Sequence, residues 1–496
     1  METFVDGLTL LARWDVLLAL FIGSIGGVII GAIPGVGPAV AIAILLPATY
    51  SMEPLVGLVM LLGIYGSSIY GGSLPAVLMN TPGTAVNALT TYDGYPMTQR
   101  GEARRAVALA YSASFVGGIL SVMALILCAP LLAYVAPQFG SREIFLASLL
   151  GMVLVVLAHR GRIAAAAFML FFGVFLNSVG LEVIRYTRRY TFDQTWLASG
   201  FDLIIVVLGL FAVSQALLLL TEKDDSPQTP ELSGGLLDGI KEIIGHRRVA
   251  GVASFFGVIM GIIPGVGEFT AQFLSYNYAQ RTSKKPELFG KGSPEGLVAA
   301  ESANNAVPAA AMIPLLALGI PGEALTAMML SVFYVHSVIP GPKLFQNDLD
   351  FVYALYVALI ILNVVVFVFL IFFTRQIVRV IRIPTRFLGL IILTLSFVGI
   401  YSVRNSTVDC AIAAAFGLLG LIFKRIDMPL VPVVLGMVLG GIMEGKFRNA
   451  MARVETPIDF VTRPAAAIIA AMIVFVVALH FYGMWKGWKE KRRGTP

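Results

Sequence analysis

The stretch "SIGGVIIGAIPGVG" occupies residues 24–37, and "SFFGVIMGIIPGVG" occupies residues 254–267. Each starts as an apolar helix and ends in Pro-Gly-Val-Gly, which cannot continue one. Proline removes a backbone donor, and glycine adopts conformations other residues avoid. The two lines agree in register at ten of fourteen positions: Ser24/Ser254, Gly27/Gly257, Val28/Val258, Ile29/Ile259, Gly31/Gly261, Ile33/Ile263 and the four residues of each "PGVG". Glycine and proline are common in membrane helices, which accounts for a stray match but not for a register this long.

A second echo lies downstream. "LPAVLMNTPGTAVNA" (74–88) and "IPLLALGIPGEALTA" (313–327) share Pro75/Pro314, Pro82/Pro321, Gly83/Gly322, Ala85/Ala324 and Ala88/Ala327. The offset grows from 230 to 239 residues. The polar loop "RTSKKPELFGKGSPEG" (281–296), longer than its counterpart "SMEP" (51–54), absorbs the difference. The chain is a duplication.

Composition sets the medium. Of 496 residues, 58% are hydrophobic and 13% charged, with mean hydropathy +0.86, where a soluble domain carries about 25% charged residues. Runs at 106–135 and 351–373 exceed the ~20 residues that cross a bilayer. The predicted fold is an all-α polytopic membrane protein of roughly 11–13 membrane segments. The net charge of +6 fits Lys and Arg gathered in cytoplasmic loops, so no nucleic-acid partner is expected. The opening "METFVDGLTLLARWDVLLAL" lacks a basic leader, so the first membrane segment is expected to be retained. Cys128 and Cys410 lie in apolar surroundings and the four histidines have no ligand spacing; no cofactor is expected.

The polar stretch 221–248 reads as a cytoplasmic linker between a first repeat (1–220) and a second (249–462). Residues 463–496 then form an added membrane helix and a basic tail. Placing the tail, 375–386 and 159–162 on the cytoplasmic side puts 335–350 outside and its equivalent, 89–105, inside. Equivalent loops on opposite sides predict inverted repeats with interrupted or re-entrant helices. This scheme leaves "RYTRRY" (185–190) outside despite its arginines. Inverted repeats with broken helices build midplane binding sites in secondary transporters. Facing breaks aim helix N-termini, each about half a positive charge, at one anionic ligand.

At these residues the chain resembles the large membrane subunit of the tripartite tricarboxylate transporters. The resemblance rests on "GAIPGVGP" (31–38), "YGGSLPAVLMNTPGTAVNALTTYDGYPMTQRGEARRA" (70–106), "GIIPGVGEFTAQFLSYNYAQRTSKKPELFGKGSPEGLVAAESANNAV" (261–307) and "LLALGIPGEALTAMML" (315–330). It implies a bacterial inner-membrane permease subunit working with a small membrane subunit and a periplasmic solute-binding protein. It further implies uptake of citrate-like or other carboxylates, driven by Na+ or H+.

Candidate substrate-binding residues follow from the breaks: Gly35, Val36, Gly37, Gly265, Val266 and Gly267 from "PGVG"; Asn80, Thr81, Gly83 and Thr84 from "MNTPGT"; Pro321 and Gly322 from "GIPGE". The polar patch "ESANN" offers Glu301, Ser302, Asn304 and Asn305, and with Glu323 it is the candidate sodium site. Carboxylates at membrane depth are costly and usually functional, and oxygen ligands suit a hard cation. The carboxylates are one-sided: Glu268 stands where the first half has Pro38, and Glu323 where it has Thr84. Ser67, Ser68 and Ser73 are candidate neutral oxygens opposite. Asp93–Gly94 reads as a cytoplasmic turn, with Arg104 and Arg105 as interface anchors. Two other classes compete. A channel with re-entrant "PGVG" loops differs from a carrier in its single-channel currents. An enzyme lacks support, because the sequence carries no G-x-S-x-G, H-E-x-x-H or P-loop.

Overall fold

The computed structural model describes residues 2–159, 161–182, 186–221, 236–381, 383–452 and 455–492. In the first half, α1 (Glu2–Leu11) leads to α2 (Trp14–Gly31), which stops at the first break. α3 (Pro38–Thr49) restarts beyond it, with proline in the first turn, where a missing N–H costs nothing. α4 (Pro54–Met79), α5 (Thr90–Gln99), α6 (Ala103–Val135), α7 (Ser141–Ala158) and α8 (Ile163–Ser178) follow. A two-residue ladder pairs Gly180–Leu181 with Arg188–Arg189. A rod over 203–221 then joins α9 (Leu203–Val207), a π-helical turn (Leu208–Val213) and α10 (Ser214–Thr221).

The second half opens with α11 (Leu236–Glu242). α12 (Arg247–Ile262) and α13 (Gly267–Thr282) then flank the second break as α2 and α3 flank the first. α14 (Pro294–Asn305) and α15 (Val307–Leu318) stand where α4 stands, interrupted at Ala306 before Pro308. α16 (Ala324–Val335), α17 (Pro342–Asn347), α18 (Leu349–Val380), α19 (Thr385–Arg404), α20 (Thr407–Arg425), α21 (Val431–Met451) and α22 (Pro464–Arg492) complete the chain. Among the described residues nine helices are long and apolar enough to cross a membrane; α3, α8 and α16 are shorter apolar helices. Half of the linker anticipated at 221–248, residues 222–235, lies outside the described residues.

Two compact units form, and each draws on both sequence halves: residues 1–134 with 202–427, and residues 135–201 with 428–496. In the first, α2 and α4 run side by side in the same direction. Gly23 abuts Met60, Gly27 abuts Ile64, and Gly31 abuts Ser68; a Cβ on any of the three would overlap the α4 backbone. Such small-residue seams bring membrane helices to backbone contact. α12 repeats the seam on α14 and α15, with Gly257 on Ala303 and Gly261 on Val307 and Ala310. The 203–221 rod packs on α19 and α20, with Gly209 against Ala413 and Gly420 against Leu210.

The second unit is built the same way from other copies. α21 packs on α7 and α8, with Gly173 against Val433 and Gly436 against Leu170, and α22 lies on α7. The word "VVLG" occurs at 206–209 and again at 433–436. In each unit its glycine meets a neighbouring helix.

Candidate functional site

Each "PGVG" closes into the same knot. Gly35 is left-handed (φ +81°) and its N–H donates to Gly83 O at 3.1 Å. Gly265 is left-handed (φ +80°) and its N–H donates to Gly322 O at 2.6 Å. Gly83 N–H donates to Gly72 O at 3.2 Å, and a Cβ on Gly83 would overlap Gly31 O. Gly322 presses on Gly261 O in the matching place. The two echoes of the sequence are therefore one structural device: the "PG" after α4, or after α15, supplies the carbonyl that fastens the "PG" after α2, or after α12. Left-handed caps, Asn80 (φ 56°) and Gly319 (φ 69°), turn the chain back to make the second "PG" reach.

The proposed substrate residues divide. Gly37 caps α3 and lies against the Thr84 side chain, so Gly35, Val36, Gly37, Gly83 and Thr84 come together. Gly265, Val266, Gly267, Pro321 and Gly322 do so around the second knot, and space beside Gly267 is open. Asn80 and Thr81 lie exposed past the end of α4 and are not brought in; the Thr81 hydroxyl bonds Met79 O.

The "ESANN" patch also divides. Glu301 is fully buried in α14. Its Oε1 accepts Thr90 Oγ1 at 2.5 Å and Asn87 Nδ2 at 3.4 Å; its Oε2 accepts Ser114 Oγ at 2.8 Å and Asn305 Nδ2 at 3.4 Å. Thr84 Oγ1 donates to Asn87 Oδ1 at 2.5 Å. A polar chain, Thr84–Asn87–Glu301, thus runs from the first-half knot to the second-half carboxylate. Ser302 turns away to Ala113 O, and both amide atoms of Asn304 lack partners. Glu323 caps α16, exchanging bonds with Thr326, while its Oε1 has no partner. Asn87, Thr90 and Ser114 were not singled out in the sequence. Their signal was faint: ordinary polar residues, two of them just past the "PG", facing a carboxylate 187 to 214 positions away.

More buried polarity lies just past the second knot. Glu268, at the start of α13, accepts Tyr65 OH of α4 at 3.4 Å. Both amide atoms of Gln272, one turn on, have no partner among the described residues; in the first half the same is true of Ser24 Oγ on α2 and Ser67 Oγ on α4. Ser68 and Ser73, read above as oxygens for a ligand, bond back to Tyr65 O and Tyr70 O within their own helix. An unmade buried hydrogen bond costs about 1–3 kcal/mol, so a fully buried, unpartnered amide such as that of Gln272 suits a site that receives a polar guest.

Asp93 corrects the sequence reading. It lies inside α5, fully buried, not in a turn. Its Oδ1 accepts the N–H groups of Gly290, Gly292 and Ser293 at 2.7–2.9 Å, and its Oδ2 accepts Tyr276 OH at 2.8 Å. Arg100 adds bonds to Lys291 O and Gly292 O. An Asp-Gly pair suggests a turn because both residues favour turns locally. Here the carboxylate gathers donors from a distant loop instead. Arg105 anchors the start of α6 to α11 through both oxygens of Glu242, at 2.6 and 2.8 Å.

The architecture and the buried neutral-donor cage around a carboxylate define a polytopic membrane protein with a polar interior, the class to which membrane carriers belong. The chain matches the tripartite tricarboxylate transporter TctA family over residues 17–435. It belongs to that family: it is a multi-pass permease subunit of the bacterial inner membrane, not an enzyme. A protein of Agrobacterium vitis described as "Uncharacterized 52.8 kDa protein in TAR-I ttuC' 3'region" is 33% identical over 464 residues, covering 91% of this chain and 90% of the relative. A second from the same organism, "Uncharacterized protein in TAR-II ttuC' 3'region", is 32% identical over 225 residues, 45% of this chain and 93% of the relative. No solved structure matches.

Proposed function

We propose that this subunit imports tricarboxylates or related carboxylates by alternating access, driven by a cation gradient. It works with a small membrane subunit and a periplasmic solute-binding protein. The observation that carries the reading is the doubled glycine knot, Gly35 on Gly83 and Gly265 on Gly322. Two interrupted helices held in the same way present the N-termini of α3 and α13 to an anion without a bulky side chain in the path. Inversion of the two repeats, with the knots facing a common midplane, supplies the two-sided access a carrier needs.

Glu301 is the coupling centre in this reading. Four neutral donors hold it, and among the described residues no cationic side chain does. A lone carboxylate in a membrane interior calls for a compensating charge, and Na+ or H+ provides it. Rotation of the Thr90 and Ser114 hydroxyls turns donors into oxygen ligands for a cation. The chain Thr84–Asn87–Glu301 links that event to the first knot.

The test is uptake of labelled citrate, succinate and benzoate into membrane vesicles containing the three components, with and without a sodium gradient. Saturable uptake of a carboxylate that collapses with the cation gradient is the expected result. Single-channel currents, or no carboxylate uptake under any gradient, would refute the reading.

A further inference from the structure

The 203–221 rod brings Gln215 to the first knot, and the last turn of α20 brings Lys424 to Gln215. Gln215, 5% exposed, accepts Lys424 Nζ on its Oε1 at 2.7 Å. Its Nε2 lies 3.3 Å from where a Cβ on Gly35 would stand. That amide nitrogen donates to no described residue. The Lys424 ammonium otherwise reaches only Phe211 O, at 3.4 Å, a carbonyl of the π-helical turn. No carboxylate pairs with it among the described residues. Arg448 on α21 is treated differently: it pairs with Glu182 and Glu444, and Glu444 also takes Arg189.

A half-buried ammonium left with neutral acceptors is a positive charge held in reserve. Beside it, a 95%-buried amide aims a free donor at Gly35. Three residues further on, α3 begins at Pro38 with no side chain capping its N-terminus. All three groups favour an anion: a charge, a fixed donor and the positive end of a twelve-residue helix. The π-helical turn beside them packs on α3; such turns often mark functional sites.

We propose that Lys424, Gln215 and the opening turn of α3 form a subsite for one carboxylate of the transported anion. This rests on the functional reading above and names the side chains that serve it. Lysine supplies the charge, while the Gln215 amide relays its orientation to the knot. The competing role, a lysine that only satisfies the Phe211 carbonyl, makes opposite predictions.

The experiment uses the purified full chain in detergent. Its melting temperature is followed against citrate, succinate and benzoate, with trimethyl citrate as the uncharged control, and uptake is measured in vesicles holding all three components. The wild type is expected to be stabilised by at least one carboxylate and not by the ester. Lys424→Arg keeps the response. Lys424→Gln raises the half-saturating concentration by at least about tenfold, the scale of one charge-assisted hydrogen bond. Gln215→Glu is the decisive variant, because it hands Lys424 an internal carboxylate. A subsite loses its ligand response while ligand-free stability holds or rises. A lysine that only braces the helix keeps wild-type binding. Unchanged half-saturation in both Lys424→Gln and Gln215→Glu overturns the subsite alone. A wild type that neither binds nor transports any of the three carboxylates overturns the functional reading as well.

Discussion

At the scale of residues, Gly35 and Gly265 matter twice. Their left-handed backbone excludes β-branched side chains at a cost of roughly 1–2 kcal/mol, and their N–H groups close the knots. Gly35→Val or Gly265→Val is expected to abolish carboxylate uptake while immunoblots of the membrane fraction show near-normal insertion. Normal uptake in both would reduce the knots to packing kinks. Glu301 carries the second prediction. Glu301→Gln keeps the shape and the Thr90 and Ser114 contacts but removes the charge, so the sodium or proton dependence of uptake should flatten while the melting temperature changes little. Unchanged ion dependence would move coupling to the unpartnered atoms near Glu268, Gln272 and Asn304. These glycines and Glu301 were legible in the sequence because repetition and a carboxylate in an apolar run are both improbable by chance. Gln215, Asn87 and Thr90 were not. A polar residue's partner across some two hundred positions is set by packing, and a single sequence carries no trace of it.

At the scale of elements, the glycine seams decide which helices meet. Gly31→Leu would force α2 off α4 where a Cβ already overlaps Ser68. Loss of folded protein is expected, measured as an aggregated peak in detergent size exclusion; Gly26→Leu on the open side of α2, where nothing lies within 4 Å, is the silent control. The Asp93 clamp fastens α5 to the loop before α14. Asp93→Asn keeps the size but replaces one acceptor oxygen by a donor facing N–H groups or Tyr276 OH. It should make the 283–293 loop more open to protease and lower uptake, with Asp93→Glu unable to rescue because Gly296 leaves no room. The ion pair of Arg105 with Glu242 adds a pH signature. The guanidinium holds the Glu242 carboxyl below the usual carboxylate range. A depressed folded-state value means the pair's stabilisation is present above the normal carboxylate range and lost as pH falls through the lower one. Crosslinking between cysteines placed at 105 and 242 would report the same closeness at neutral pH. The breaks at "PGVG" and "PG" were readable; nothing in the sequence analysis pointed to the α14–α15 interruption at Ala306.

At the scale of the whole molecule, the sequence echoes were visible but the grouping of the helices was not. The echoes predict two repeats, 1–220 and 249–462. The compact units cut across that division in sequence: α21 joins α7 and α8, and the 203–221 rod joins α19 and α20. Contact partners that distant leave no periodic signal, whereas the "PGVG" register does. Inversion remains the prediction that charge patterning supports. Cysteine placed at Arg104 should react with a membrane-impermeant maleimide only from the cytoplasmic side, and at Lys343 only from the outside. Labelling of both from one side would make the repeats parallel.

The exchange of helices also sets a timetable for biosynthesis. When α7 and α8 leave the ribosome, their partner α21 is still roughly 250 residues from synthesis. At about 5–20 residues per second this is a wait of roughly 10–50 seconds. During that interval Gly173 has no Val433, and the Leu170 carbonyl no Gly436, to close on. A half-made group must be sheltered by lipid or an insertase until translation is nearly over. Nonsense mutations after residue 427 should therefore strand residues 135–201 in the membrane without their partner, and quality-control proteolysis, not partial activity, is the expected fate of such truncated chains.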